Sequence, residues 1–169
     1  KTNSKYGDTS FIKRLKEETQ TVLYNLGTEA VHPFHAEFFY HSESDRLSFC
    51  EIGKRFGGGN IPLLIKLAFQ FDILETYWRL KNDISYHPKC LNQPKRFAST
   101  LAVFQNGKRQ EPPVLPVKYD YFREYPEKLG EKATSLEDLR YLITFSADIK
   151  EDFEQVFESL KEYLYEQRK

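Results

Sequence analysis

Two short apolar runs, Phe34–Tyr40 (FHAEFFY) and Arg46–Ile52 (RLSFCEI), each carry a glutamate among residues that ought to be covered. His41–Asp45 (HSESD) joins them, so the stretch reads as two strands and a turn. Symmetric pairing across that turn sets Glu37 opposite Phe49 and His35 opposite Glu51. With a side-chain period of two, His35, Glu37, Phe39, Phe49 and Glu51 then share a face. Glu37 and Glu51 become diagonal neighbours, roughly 5–8 Å apart at the backbone. Two such carboxylates repel unless a cation lies between them, and hard cations such as Mg²⁺ or Mn²⁺ take oxygen ligands. The plainer alternative is the exposed face of an edge hairpin, where glutamate needs no explanation.

The residues after Glu51 narrow the choice. Arg55 is followed by Phe56, then Gly57, Gly58, Gly59 and Asn60, before the apolar run Ile61–Leu67. Three glycines in a row suit neither a helix nor a strand, because each loses backbone entropy and packs nothing. They suit a loop whose amides come close to an anion beside a helix N-terminus. Pro62 fits the first turn of that helix. A flexible linker is the other reading, though the gap between strand and helix is short for one.

The stretch HAEFF…RLSFCEIGKRFGGGNIPLLIKLAFQFDILETYWRL resembles the distal half of an ATP-grasp catalytic domain. It is most similar to the carboxylate–amine ligases that join amino acids. The resemblance covers about residues 32–80 and is weaker on either side. It implies an α+β fold, a partial ATP-grasp with an antiparallel sheet and packed helices. It also implies that Glu37 and Glu51 hold the metal (Mg²⁺ or Mn²⁺) that bridges the ATP phosphates. Arg55 matches the arginine that holds phosphate or an acyl phosphate, and Gly57–Gly59 match the glycines lining the acceptor site. Asn60 stays open between orienting the same substrate and capping the next helix. Many members have asparagine two positions after the second acid; Gly53 stands there in this chain.

The implied activity is an ATP- and Mg²⁺-dependent ligation through an acyl phosphate. Its partners are a small-molecule carboxylate and an amine, one of them an amino acid or similar acid. A carboxylase-like or thiol-ligase relative is an alternative, as is a non-catalytic nucleotide-binding module that kept the fold. Relatives carry a pocket-shaping domain and a first ATP-binding lobe ahead of this stretch. Together with the absence of methionine, this makes the chain expected to be a piece of a longer polypeptide, inactive alone. A small protein that carries only the half-site is the rival reading. The sequence leaves oligomeric state open, a homodimer included.

Twenty-five basic and 25 acidic residues balance, with a pI near 7.1, which argues against a general nucleic-acid surface. Cys50 and Cys90 are too few for a disulfide framework. No apolar run reaches the length of a membrane span, and the first residues lack the pattern of a signal peptide. A soluble cytoplasmic protein is the expectation. His87 and Cys90 have no second pair of ligands near them in sequence, so a zinc site is not expected.

In chain order, Thr9 or Ser10 can cap a helix over Phe11–Leu26 that ends at Gly27, with Lys13, Arg14, Lys16 and Glu17 on its solvent side. Ile61–Leu80 reads as helix with a break near Phe71–Asp72. Its apolar residues lie on more than one side, so it is expected to be buried between layers, with Tyr77 and Trp78 in the core or an interface. Residues 1–95 are assigned to the distal lobe of the catalytic domain. Residues 96–169 are assigned to a small α+β lobe with strands Phe97–Phe104, Tyr119–Phe122 and Tyr141–Ser146. A short turn or helix at Ala133–Leu136 and a helix over Asp152–Gln167 complete it.

Overall fold

The computed structural model describes residues 9–27, 31–83, 85–89, 93–130, 135 and 138–166. Expectations for Lys1–Asp8, Cys90, most of Ala133–Leu136 and Gln167 lie outside the described residues. The elements are α1 (Thr9–Asn25), β1 (His35–His41), β2 (Arg46–Gly53), α2 (Ile61–Phe69), α3 (Ile73–Asn82), β3 (Phe97–Phe104), β4 (Tyr119–Glu124), β5 (Leu139–Ala147) and α4 (Lys150–Glu166). Both sheets are antiparallel, β1-β2 and β3-β5-β4, so the α+β class holds. The chain forms two compact units, Lys1–Gly57 with Leu74–Pro88, and Gly58–Ile73 with Lys89–Lys169. Residues 1–95 thus contribute to both units.

In the first unit, α1 already includes Thr9 and Ser10, so neither stands ahead of the helix as its cap. Gly27 terminates the helix as expected, at φ 62°, a conformation that costs a Cβ-bearing residue more. Arg14 does not face water idly. Its guanidinium donates to Asp45 Oδ2 at 2.7 Å and to the Asp45 carbonyl at 2.6 Å. Tyr40 Oη donates to Asp45 Oδ1 at 3.0 Å, and the Phe11 and Tyr40 rings meet edge to face at 5.0 Å. The hairpin turn is therefore held by helix α1 at both its carboxylate and its backbone.

Trp78 is 64% exposed and so lies outside the core, one of the two places expected for it. Tyr77 does pack, edge to face on Phe56 at 5.6 Å. Thr76 is the fully buried residue of α3, and none of α2 is fully buried. The expected break between the two helices falls at Gln70–Asp72, with Gln70 in the left-handed region at φ 53°.

The second unit is built around β5. Its alternate residues Tyr141, Ile143 and Phe145 are at most 1% exposed, and Phe145 packs with Val156 and Leu160 of α4. Helix α4 begins two residues before the expected start. Helix α2 packs on β3 and β5, and its Ala68 carbonyl accepts from the Lys95 and Arg96 amides.

Three tyrosines hold the proline-bearing segment between β3 and β4. Tyr141 Oη donates to the Gln110 carbonyl, Tyr163 Oη to the Glu111 carbonyl at 2.9 Å, and Tyr119 Oη to the Pro113 carbonyl. Prolines 112, 113 and 116 cannot join a ladder through their nitrogens, so side-chain donors take over the anchoring. Burial raises all three phenols, Tyr163 to about 12, with Tyr141 nearby adding to the effect.

A phenol raised in the folded state stabilises fully below the unfolded value of about 10 and loses that contribution as pH rises through the folded value. Absorbance titration of the phenolates should therefore show a step near pH 12 that disappears in Tyr163→Phe. Ionisation of every tyrosine together near pH ~10 would contradict this anchoring.

Candidate functional site

The expected hairpin forms, but its register differs. Pairing starts at His41↔Arg46 across a four-residue turn, because Asp45 adopts φ 46° under its bonds to Arg14 and Tyr40. The register then shifts by one between Glu37 and Phe38, which leaves Cys50 as the extra, bulged residue. Cys50 is a free, exposed thiol. Beyond the bulge, Glu37 pairs directly with Glu51, not diagonally, and His35 pairs with Gly53, not Glu51. Phe49 pairs with Phe38, their rings meeting at 5.6 Å, so it leaves the glutamate face where sequence pairing had set it. A one-residue slip moves a side chain to the other side of a sheet, and the bulge does this once.

Both glutamates are exposed, and neither is ion-paired with a lysine or arginine among the described residues. Like charges directly opposite on a sheet destabilise it. The nearest basic group to Glu37 is His35, whose Nδ1 lies 3.6 Å from Oε1 and makes no hydrogen bond. Among the described residues no group of three or more His, Cys, Asp or Glu side chains converges as a metal cluster. Glu37 and Glu51 bring two hard oxygen donors to paired positions, and they are the residues that could hold a divalent ion.

Just past β2 the chain turns sharply, with the Arg55 amide donating to the Gly53 carbonyl at 2.9 Å. The Arg55 side chain folds back over Gly53, and its Nη1 donates to the Phe56 carbonyl at 3.0 Å. A Cβ on Gly53 would stand 3.3 Å from Arg55 Nε and 3.4 Å from its Cγ. An asparagine at Gly53 would compete with Arg55 for this space.

Gly57 belongs to the first unit, and Gly58, Gly59 and Asn60 to the second. Gly59 (φ 58°) and Asn60 (φ 65°) are the central residues of a turn closed by the Ile61 amide on the Gly58 carbonyl at 3.1 Å. Two positive φ values in succession mark a type I′ turn. Asn60 occupies the N-cap position of α2, and its carbonyl accepts from the Leu64 amide at 2.9 Å, but its side chain caps nothing. An N-cap side chain reaches the helix amides from the β region, and Asn60 is left-handed instead. Its Nδ2 donates to Thr144 Oγ1 of β5 at 3.2 Å. The sequence signal for Thr144 was a hydroxyl set within the apolar strand Tyr141–Ser146. Gly58 differs from its neighbour: its φ is not positive, and a Cβ there would meet nothing within 4 Å. Neither strain nor crowding within the unit requires that glycine.

No family model matches the chain, and no curated protein matches it. Among solved structures, it is similar to the L-amino acid ligase from Bacillus licheniformis, with a TM-score of 0.66 at 15% identity. The match covers 92% of this chain and 40% of that ligase. At that identity the shared property is the fold, with its antiparallel sheets and packed helices. No helix among the described residues is long and apolar enough to cross a membrane.

The loop geometry makes opposite forecasts for adjacent glycines. Gly58→Ala should stabilise by about 0.5–1 kcal/mol, since alanine restricts the unfolded chain at a position it can occupy. Gly59→Ala should destabilise by about 1 kcal/mol because of its left-handed backbone. Denaturant melts of the two variants separate the cases. A destabilising Gly58→Ala would mean that the fold itself needs this glycine.

Proposed function

We propose that this chain is part of an ATP- and Mg²⁺- or Mn²⁺-dependent carboxylate–amine ligase, soluble and cytoplasmic, acting through an acyl phosphate. The observation that carries the reading is Glu37 directly opposite Glu51 with no lysine or arginine paired to either among the described residues. A sheet position of that kind is unfavourable by itself and becomes favourable with a divalent cation. Supporting it is the likeness in fold to a protein whose name is an L-amino acid ligase. Glycine at position 58, where the fold does not need it, adds further support.

In this reading the substrate carboxylate attacks the γ-phosphorus of ATP, ADP leaves, and an amine then displaces phosphate to form the amide. Glu37 and Glu51 hold the metal, which supplies charge neutralisation on the ATP phosphates. Arg55 swings from the Phe56 carbonyl to the transferring phosphoryl group and binds it through its planar fork of donors. Gly57–Gly59 present amides to an oxyanion or substrate carboxylate without side chains in the way. Asn60 supports the same loop. One substrate is an amino acid or a comparably small polar acid, since the stretch offers neither a broad apolar wall nor a basic track.

The test uses the full-length protein and a panel of amino acids, singly and in pairs, with phosphate release and mass detection of adducts. Glu51→Gln should lower ATP-dependent phosphate release about a hundredfold or more while the thermal midpoint is kept. Unchanged turnover would remove the metal assignment. Release that requires bicarbonate, or a thioester product, would replace the ligase by a carboxylase-like or thiol-ligase chemistry. No release together with no nucleotide binding would favour a non-catalytic module.

A further inference from the structure

We infer that Thr144 is a positioning residue for the glycine loop, acting through Asn60; the inference rests on the proposed role of that loop as a ligand-facing segment. Thr144 lies mid-strand in β5, wholly buried, between Ile143 and Phe145. A buried hydroxyl needs a hydrogen-bond partner, and Thr100, opposite it on β3, already meets that need at 2.9 Å. The second bond, from Asn60 Nδ2, arrives from a residue 84 positions earlier. It serves the loop more than the strand.

The turn makes the same point. At its second central position a left-handed residue is required, and glycine takes that conformation with the least strain. Three glycines run up to this position, yet asparagine occupies it. Its side chain does not cap α2, and the bond it makes is to Thr144. Gly58 and Gly59 have no side chains with which to fix themselves. The closing bond from Ile61 to Gly58 defines the turn's shape, and the packing of α2 on β3 and β5 anchors its far end. The Asn60–Thr144–Thr100 chain ties the turn itself to the sheet, so the loop amides are aimed before any ligand arrives. Preorganised donors of this kind need no rearrangement when charge develops.

Three variants of the full-length protein test the latch. Thr144→Val keeps the shape and removes the hydroxyl, Thr144→Ser keeps the hydroxyl, and Asn60→Gly keeps the turn conformation and removes the bond. Hydrogen exchange over residues 57–63 should quicken about fivefold in Thr144→Val and Asn60→Gly, with α4 unchanged and Thr144→Ser close to the parent. In the phosphate-release assay the same two variants should raise KM for the acceptor about fivefold while leaving KM for ATP alone, and Thr144→Ser should restore it. Unaltered loop exchange in Asn60→Gly, which does not disturb β5, would overturn the latch even if Thr144→Val failed to fold. Faster exchange with unchanged kinetics would overturn the positioning role. Altered exchange in a protein that releases no phosphate with any substrate would support the latch and overturn the ligase reading instead.

Discussion

A strand shows alternate residues to its two faces, and β5 has neither face turned to water. From Arg140 to Ala147 every residue is buried. One set, Tyr141, Ile143 and Phe145, meets apolar groups and needs nothing more. The other set includes Arg140, Thr144 and Ser146, and burying such groups without partners costs more than a typical hydrogen bond returns. Each is accordingly bonded outward: Arg140 to Glu124 at 2.7 Å and to the Tyr125 carbonyl, Thr144 to Thr100 and Asn60, Ser146 to Asp120 at 2.7 Å. Strands β3 and β4 are tied to this polar face through Thr100, Asp120 and Glu124. The glycine loop is one of the segments so tied.

The hairpin of the first unit obeys the same alternation under a weaker constraint. With only two strands, it has little ladder to set its register. The turn takes over that task, clamped by Arg14 and Tyr40 on Asp45, and the bulge at Cys50 corrects the register once more before the glutamates. The outcome is a like-charged pair at a place where the solvent screens it. Such a pair is affordable when exposed and would be severe if buried. The same exposure leaves the two carboxylates accessible to a cation.

Much of this organisation was legible before any coordinates. Strand β3 follows from FASTLAVF residue for residue, and the helix break follows from the loss of apolar periodicity near Phe71–Asp72. The two glutamates were placed on one face, which they share, though by a pairing that was one residue off on the turn side of the bulge and two residues off beyond it. Arg14 was set aside as solvated charge, because a surface arginine and a turn-clamping arginine look alike in sequence. Trp78 was expected in the core or an interface and lies outside the core, since a helix with apolar residues on several sides does not say which side finds a neighbour.

The amino-acid sequence by itself determined the elements of this protein, because helix and strand periods, prolines and glycines act over a few residues at a time. It also marked Glu37, Glu51, Arg55 and Gly57–Gly59 as candidates, because acids in apolar strands and consecutive glycines stand out from the residues around them. What tertiary structure alone decided was which of these face one another. Glu37 pairs with Glu51 only by way of the bulge at Cys50. Asn60 meets Thr144 because helix α2 packs on β3 and β5 and so brings together positions 84 apart. Local preferences are short-ranged, whereas register and long-range hydrogen bonds follow from how burial and bonding are satisfied across the whole fold.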